Sequence, residues 1–435
     1  MSDDSTAASA DDGVSEPALS QTDRYVILSA AFLGWMFAGV AMSMYLAARP
    51  AAQHFLGDDT AGNMEQQVGK WFSWYVCAFL LGAAAGGLFF GWMGDRIGRA
   101  KAMGFSILCF SAVTGLSYFV ASLEQLVMLR FIACMGIGGM WPNGVALASE
   151  AWPSGSRPLL AGLIGTAANV GLAAMGMVDR QFDITPDSWR WVMLLGASPF
   201  VLGLLVLVFV PESPSWLKSR GRSTDQATTP SLPMSTVFKP PYVHLTIIGI
   251  CLGTIPLLGG WGSMNWLMPW ADKVGQDAEV SGLQGKTQFI RSTGAILGSL
   301  LGGFLANMFG RRSTYFVVSL ASLLVGQYIY RYLDPLADSF ATWVFVMGFI
   351  GTIFFGWLPL YLPELFPTEV RATGTGVTFN FGRILSALGV LGAGGLMLLF
   401  DGDYARVGRI TSLIYALGMV VILFAPDTSG KRLDE

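Results

Sequence analysis

Residues 91–101, "GWMGDRIGRAK", and residues 303–313, "GFLANMFGRRS", share glycine at their first and eighth positions and arginine at their ninth, with Asp95 matched by Asn307. A second pair, "SEAWPSGSRPLLAG" at 149–162 and "PELFPTEVRATGTG" at 363–376, shares Glu, an aromatic, Pro, an Arg seven residues after the Glu, and a Gly five after the Arg. The offsets, 212 and 214 residues, agree closely, so the chain is a duplicated unit. Residues 211–242, rich in Pro, Ser and Thr, read as the linker between the copies.

Composition says what the unit is. The 435 residues are 53% hydrophobic and only 13% charged, with a mean hydropathy of +0.54, too apolar for a water-soluble globule. A bilayer span needs about 20 mostly apolar helical residues. Stretches near 25–48, 71–93, 102–121, 125–148, 158–179, 190–210, 243–270, 284–308, 313–333, 340–362, 373–399 and 405–425 qualify. The expected fold is therefore an all-α membrane protein with twelve transmembrane helices in two pseudo-symmetric six-helix bundles, 24–210 and 243–425. Residues 1–23, acidic and without a basic leader, read as a disordered tail, and 426–435 as a second tail. The loops beside those tails collect Arg96, Arg99, Lys101, Arg157, Lys239, Arg311, Arg312 and Arg371. The opposite loops are acidic, so the positive-inside rule puts both termini in the cytoplasm. Cys77, Cys109, Cys134 and Cys251 all fall in spans without metal-ligand spacing, which argues against a disulfide framework or metal site. Duplicated halves around a midplane site are a transporter architecture.

These motifs carry a resemblance. "GWMGDRIGRAK" is similar to the loop between the second and third spans of the major facilitator superfamily. "PESPSWL" (211–217), "PELFPTEVRATGTG" and "APDTSGKRLDE" (425–435) resemble its sugar-porter and organic-ion branches, and "GIGGMWPNGVALASEAWP" (136–153) its metabolite:proton symporters for sialate, aromatic acids and other carboxylates. The resemblance implies that Asp95, Arg96, Arg99, Glu150 and Arg157, with Arg311, Arg312, Glu364 and Arg371 in the second copy, latch the halves on the cytoplasmic side in the outward-open state. Asn307, replacing an acid, would weaken the second latch. The runs "GAAAGG", "GIGG" and "GAGG" need no functional role, because small residues let helices approach closely in lipid.

Cations enter the spans and carboxylates do not. Arg383 stands twelve residues past Arg371, about 18 Å deep in a core about 30 Å thick. Its repeat counterpart past Arg157 is Asn169, so the two are expected to face each other at substrate depth. A charge there costs at least about 2.5 kcal/mol unless a cavity or a counter-ion meets it. Arg130 and Arg291 belong nearer the outer ends of their helices, and both, with Arg383, are candidates to bind substrate. Arg130 is expected to pair with Glu124, to reach the interface, or to contact substrate. Trp35, Tyr45, Asn265 and Gln288 are candidates to line the rest of the pocket. Proton-coupled relatives carry midspan acids where this chain has Ala38, Ala41 and Met140, which also enters the candidate pocket. Arginine cannot relay protons, and His54 and His244 lie at a loop and a span end. The reading is a carrier for a small organic anion, a carboxylate or acidic sugar, acting as a facilitator or exchanger. Proton symport of an organic acid, transport of a sugar or organic cation, and a non-transporting sensor of the same fold are the alternatives. No phosphate-binding loop or midspan nucleophile suggests an enzyme. No cofactor or nucleic-acid partner is expected, and a monomer is.

Overall fold

The computed structural model describes residues 19–57, 63–152, 157–213, 216–217, 234–367 and 369–428. Among these, twelve helices are long and apolar enough to cross a membrane. In chain order they are α1 Gln21–Leu56, α2 Met64–Ile97, α3 Arg99–Phe119, α4 Leu123–Ala151, α5 Arg157–Gln181 and α6 Trp191–Phe209. The second half comprises α7 Val243–Asp277, α8 Leu283–Phe309, α9 Arg311–Tyr332, α10 Asp338–Glu364, α11 Arg371–Leu399 and α12 Tyr404–Phe424. The ends next to Gln21 and Phe424 are called the terminal end below, and the opposite side the far end.

Helix packing repeats between the halves. In the first, α2 packs on α4, α1 on α5 and α3 on α6; in the second, α8 packs on α10, α7 on α11 and α9 on α12. The closest approaches coincide with the sequence repeat. A Cβ on Gly82 or Gly86 would lie 2.3 or 1.9 Å from the carbonyl oxygens of Phe131 and Met135. On Gly294 or Gly298, 212 residues later, it would lie 2.3 or 2.0 Å from those of Phe345 and Phe349. The loop motif repeats in the same way: Gly98 and Gly310 take φ of +112° and +86° between consecutive spans, a conformation that side-chain-bearing residues avoid.

Several helix ends differ from expectation. α1 starts at Gln21, inside the stretch expected to be a tail, because Ser20 and Asp23 form a reciprocal capping box. Residues 1–18 of that tail, 214–215 and 218–233 of the linker, and 429–435 lie outside the described residues. α2 starts at Met64 rather than near 71, and α7 runs to Asp277 rather than 270. Both added stretches are polar, and Glu65 in one and Asp272 in the other meet Arg49. The first helix of each half is also interrupted near the far end by a tight 3-10 turn, Ser43–Ala47 in α1 and Met264–Trp266 in α7.

Candidate functional site

The α1 interruption explains Arg130. Tightening a helix redirects its hydrogen bonds and leaves carbonyls without their usual partners. Arg130, only 3% exposed, donates to two of them, Ala41 (2.6 Å) and Met42 (2.9 Å), while its guanidinium lies 4.8 Å from the Tyr75 ring. It neither pairs with Glu124 nor reaches the interface, because this helix end offers it acceptors inside the protein.

The same turn points Tyr45 at the second half. Its hydroxyl bonds Gln288 and accepts from Arg291 Nη2 (2.8 Å). Arg291 also donates to Asn265 Oδ1 (2.7 Å) and Gln288 Oε1 (3.1 Å), and Gln288 Nε2 donates to Ser292 and to the Leu172 carbonyl. Four candidates from the sequence, Tyr45, Asn265, Gln288 and Arg291, thus form one buried network across the seam between halves. Asn265 Nδ2 is buried there without a partner among the described residues. Trp261 adjoins the network, 6.2 Å from Tyr45 and 4.3 Å from Phe79 between ring centroids.

One turn along α2 from Phe79, the Ala83 carbonyl accepts from Arg383 Nη1 (3.1 Å). Arg383 is half-buried, with Asn380 Oδ1 at 3.4 Å and the Phe379 ring at 4.7 Å. By the helix rise it sits about 6 Å from the Phe79 level toward the terminal end. Arg130, Arg291 and Arg383 have only neutral hydrogen-bond partners among the described residues.

Other candidates are placed apart. Asn169 is half-buried on α5, and its side chain makes no hydrogen bond to another described residue. It does not pair with Arg383, because α5 packs on α8 while α11 packs on α2, so the repeat places the two on different seams. Trp35 lies 4.9 Å from Trp141 between α1 and α4. Met140 is fully buried and fills the space beside Gly34 in the same contact, inside the first half.

At the terminal end, the bonds described for the motif charges run within a half or to the linker. Asp95 pairs with Arg99 (2.6 Å), Arg96 lies 4.6 Å over Trp92, and Glu150 accepts from Ser213. In the second half Arg311 pairs with Glu364 (2.8 Å) and donates to Asn307 (2.6 Å), so the Asn307 position still has a partner. Arg312 donates to the Leu423 carbonyl and Arg371 to that of Phe366. Arg157 opens α5, but its side chain lies outside the described residues. Glu212 in "PESPSWL" accepts from the Ala100 N–H at the start of α3, where a helix N-terminus favours an anion.

The far end holds a cluster that the sequence did not disclose. Arg49, 3% exposed, bonds Glu65 (2.6 Å) in its own half and Asp272 (2.8 Å) in the other, and Tyr404 donates to Glu65 (2.8 Å). Gln53 with Gln276, and Gln66 with Asp401, add links between the halves. A lone Arg49 just past an apolar stretch is the available signal, and a first span that ends at 48 leaves it in a loop.

Known proteins place this architecture. A putative metabolite transport protein of Haemophilus influenzae is 29% identical over 82% of this chain and 86% of its own length. The cis,cis-muconate transport protein of Acinetobacter baylyi is 29% identical over 73% and 77%, and a sialic acid transporter of Escherichia coli 26% over 82% and 86%. A partially occluded inward-open structure of the E. coli xylose transporter superposes with a TM-score of 0.71 at 16% identity, covering 95% of this chain and all of that one. With two repeated six-helix halves meeting at a polar seam, and the family model of the Major Facilitator Superfamily matching residues 25–390, the chain belongs to that superfamily of membrane transporters.

Proposed function

We propose that the protein carries a small organic anion, a carboxylate or acidic sugar, across the inner membrane by alternating access, with both termini in the cytoplasm. The observation that carries this reading is the set of arginines at the seam whose partners among the described residues are all neutral. Arg383 lies at mid-depth, Arg291 lies beyond it toward the far end, and the spare Asn265 N–H lies beside Arg291. A buried cation without a counter-ion is costly in a bilayer, and a substrate carboxylate removes that cost. Muconate and sialic acid, named for two relatives, are carboxylates at neutral pH. Lys and Arg concentrate in the terminal-end loops, which favours the cytoplasmic placement of that end. The far-end contacts then make this an outward-closed conformation. No Asp or Glu stands at the depth of Arg383 in any span, so the path itself holds no proton relay and suits a facilitator or exchanger.

The test is ligand-induced thermal stabilisation of the purified protein by carboxylates, sugar acids, neutral sugars and organic cations, in wild type and Arg383→Gln. Anions should stabilise the wild type and lose that effect in the variant. The stabilising compound should then enter proteoliposomes, which a non-transporting sensor would not allow. Stabilisation by neutral sugars or cations that survives in Arg383→Gln would overturn the anion site.

A further inference from the structure

At the far end, where α5 and α8 meet, a cavity of about 280 Å³ is lined by Asp179, Asp183, Asp272 and Glu279 and by no lysine or arginine. Its walls come from both halves, with the end of α5 and the following loop on one side and the ends of α7 and α8 on the other. The backbones approach closely here. A Cβ on Gly285 would lie 2.3 Å from the Arg180 nitrogen, so α5 and α8 touch backbone to backbone beside the cavity.

Asp179 is the unsatisfied member. It is 4% exposed, its Oδ1 accepts from the Ile184 N–H (3.3 Å), and its Oδ2 is buried with no partner among the described residues. The surrounding charges do not compensate it. Asp272 on α7 is bonded to Arg49 on α1, which also serves Glu65 on α2, itself bonded by Tyr404 on α12. Asp183 accepts from the Gly282 N–H (2.6 Å), and Asp183, Glu279, Arg180 and Lys286 are exposed. One buried arginine is thus shared by two carboxylates, and a third has no counter-charge. Leaving a carboxylate oxygen bare and charged in such a place is expensive.

We propose that Asp179 is a proton-binding site that exists only while the far end is closed. A proton satisfies a single bare oxygen, whereas calcium or magnesium needs about six oxygen ligands. Among the described residues no group of three His, Cys, Asp or Glu side chains is placed to hold a metal. Opening the far end separates the cavity walls, breaks the Arg49–Asp272 and Asp183–Gly282 links, and hydrates Asp179. The proton therefore binds the closed state better, and by linkage it shifts the population toward that state. Acid on the far side holds the gate shut, and alkali releases it. The site is separate from Arg383, and the proposal does not depend on the transported molecule.

The experiment uses full-length protein in lipid nanodiscs without substrate, titrated with pH and read in two ways. Infrared difference spectra report protonated carboxyl groups. The distance between spin labels at Asp187→Cys and Arg331→Cys, in a background lacking the native cysteines, reports far-end opening. The wild type is expected to show a carboxylic-acid band that vanishes as pH rises, together with a shift to longer distances. Asp179→Asn, which keeps the acceptor for Ile184 and mimics the neutral acid, should lose that band and stay closed across the range. Asp179→Glu should keep a titrating band, and Glu279→Gln, at an exposed acid lining the same cavity, should behave as wild type. An unchanged band and distance response in Asp179→Asn, or a wild type with no titrating band, would overturn the proposal. Neither result bears on the Arg383 site.

Discussion

Arg130 shows how a cation is accommodated inside an apolar helix. Its two bonds go to carbonyls freed by the 3-10 turn of α1, so its first task is to finish that helix end. Arg130→Met would take a charged donor away from both buried carbonyls. Hydrogen bonds to charged groups contribute about 1.5–3 kcal/mol each, so the variant should lose a few kcal/mol of stability. Arg130→Lys, a point charge without the guanidinium fork, should fall between. Thermal unfolding of the three purified proteins checks this order, and a Met variant as stable as wild type would refute it. At this scale the sequence was informative wherever a lone charge interrupted an apolar run, which is how Arg130, Arg291 and Arg383 stood out. Partners were not legible: the bond between Arg291 and Tyr45 spans 246 residues and depends on how two helices from different halves are placed.

At the scale of elements, glycine sets how closely α2 packs on α4 and α8 on α10. Gly86→Ala and Gly298→Ala would each push a methyl group to within 2 Å of a main-chain carbonyl oxygen, which no side-chain rotation relieves. Overpacking of this kind costs about 1–3 kcal/mol, and the helices must part to accommodate it. Both variants should therefore lower the unfolding temperature, whereas Gly91→Ala, whose Cβ meets nothing within 4 Å, should not. Equal behaviour of Gly86→Ala and Gly91→Ala would show that the contact is soft. The repeat and its glycines were readable because both copies keep them at fixed offsets. Span ends were not, since apolar counting stops where Glu65 and Asp272 begin, while the helices continue through them and meet Arg49.

Across the whole molecule, the ion pair that joins the halves among the described residues stands at the far end with two further side-chain links, whereas at the terminal end the described ion pairs, Asp95–Arg99 and Arg311–Glu364, each lie within one half. No sequence pattern could disclose this asymmetry, because one chain must adopt both the closed and the open far end during transport. Arg49 joins a carboxylate of its own half to one of the other, and the two bonds should have different consequences. Losing Asp272 removes the ionic link across the seam. Losing the charge of Glu65 leaves that link in place, and a glutamine there keeps an oxygen to accept from Arg49 and an N–H to donate to the Tyr404 oxygen. Truncating one partner of a buried, hydrogen-bonded charge pair costs about 2–5 kcal/mol, and 1.4 kcal/mol is already tenfold in population. Asp272→Asn should therefore shift spin-label distances across the far end toward the open state by at least about tenfold in population, and Glu65→Gln should shift them far less. If Glu65→Gln opens the far end as much as Asp272→Asn does, the closure rests on the fold of the first half around Arg49 and not on the bridge between halves.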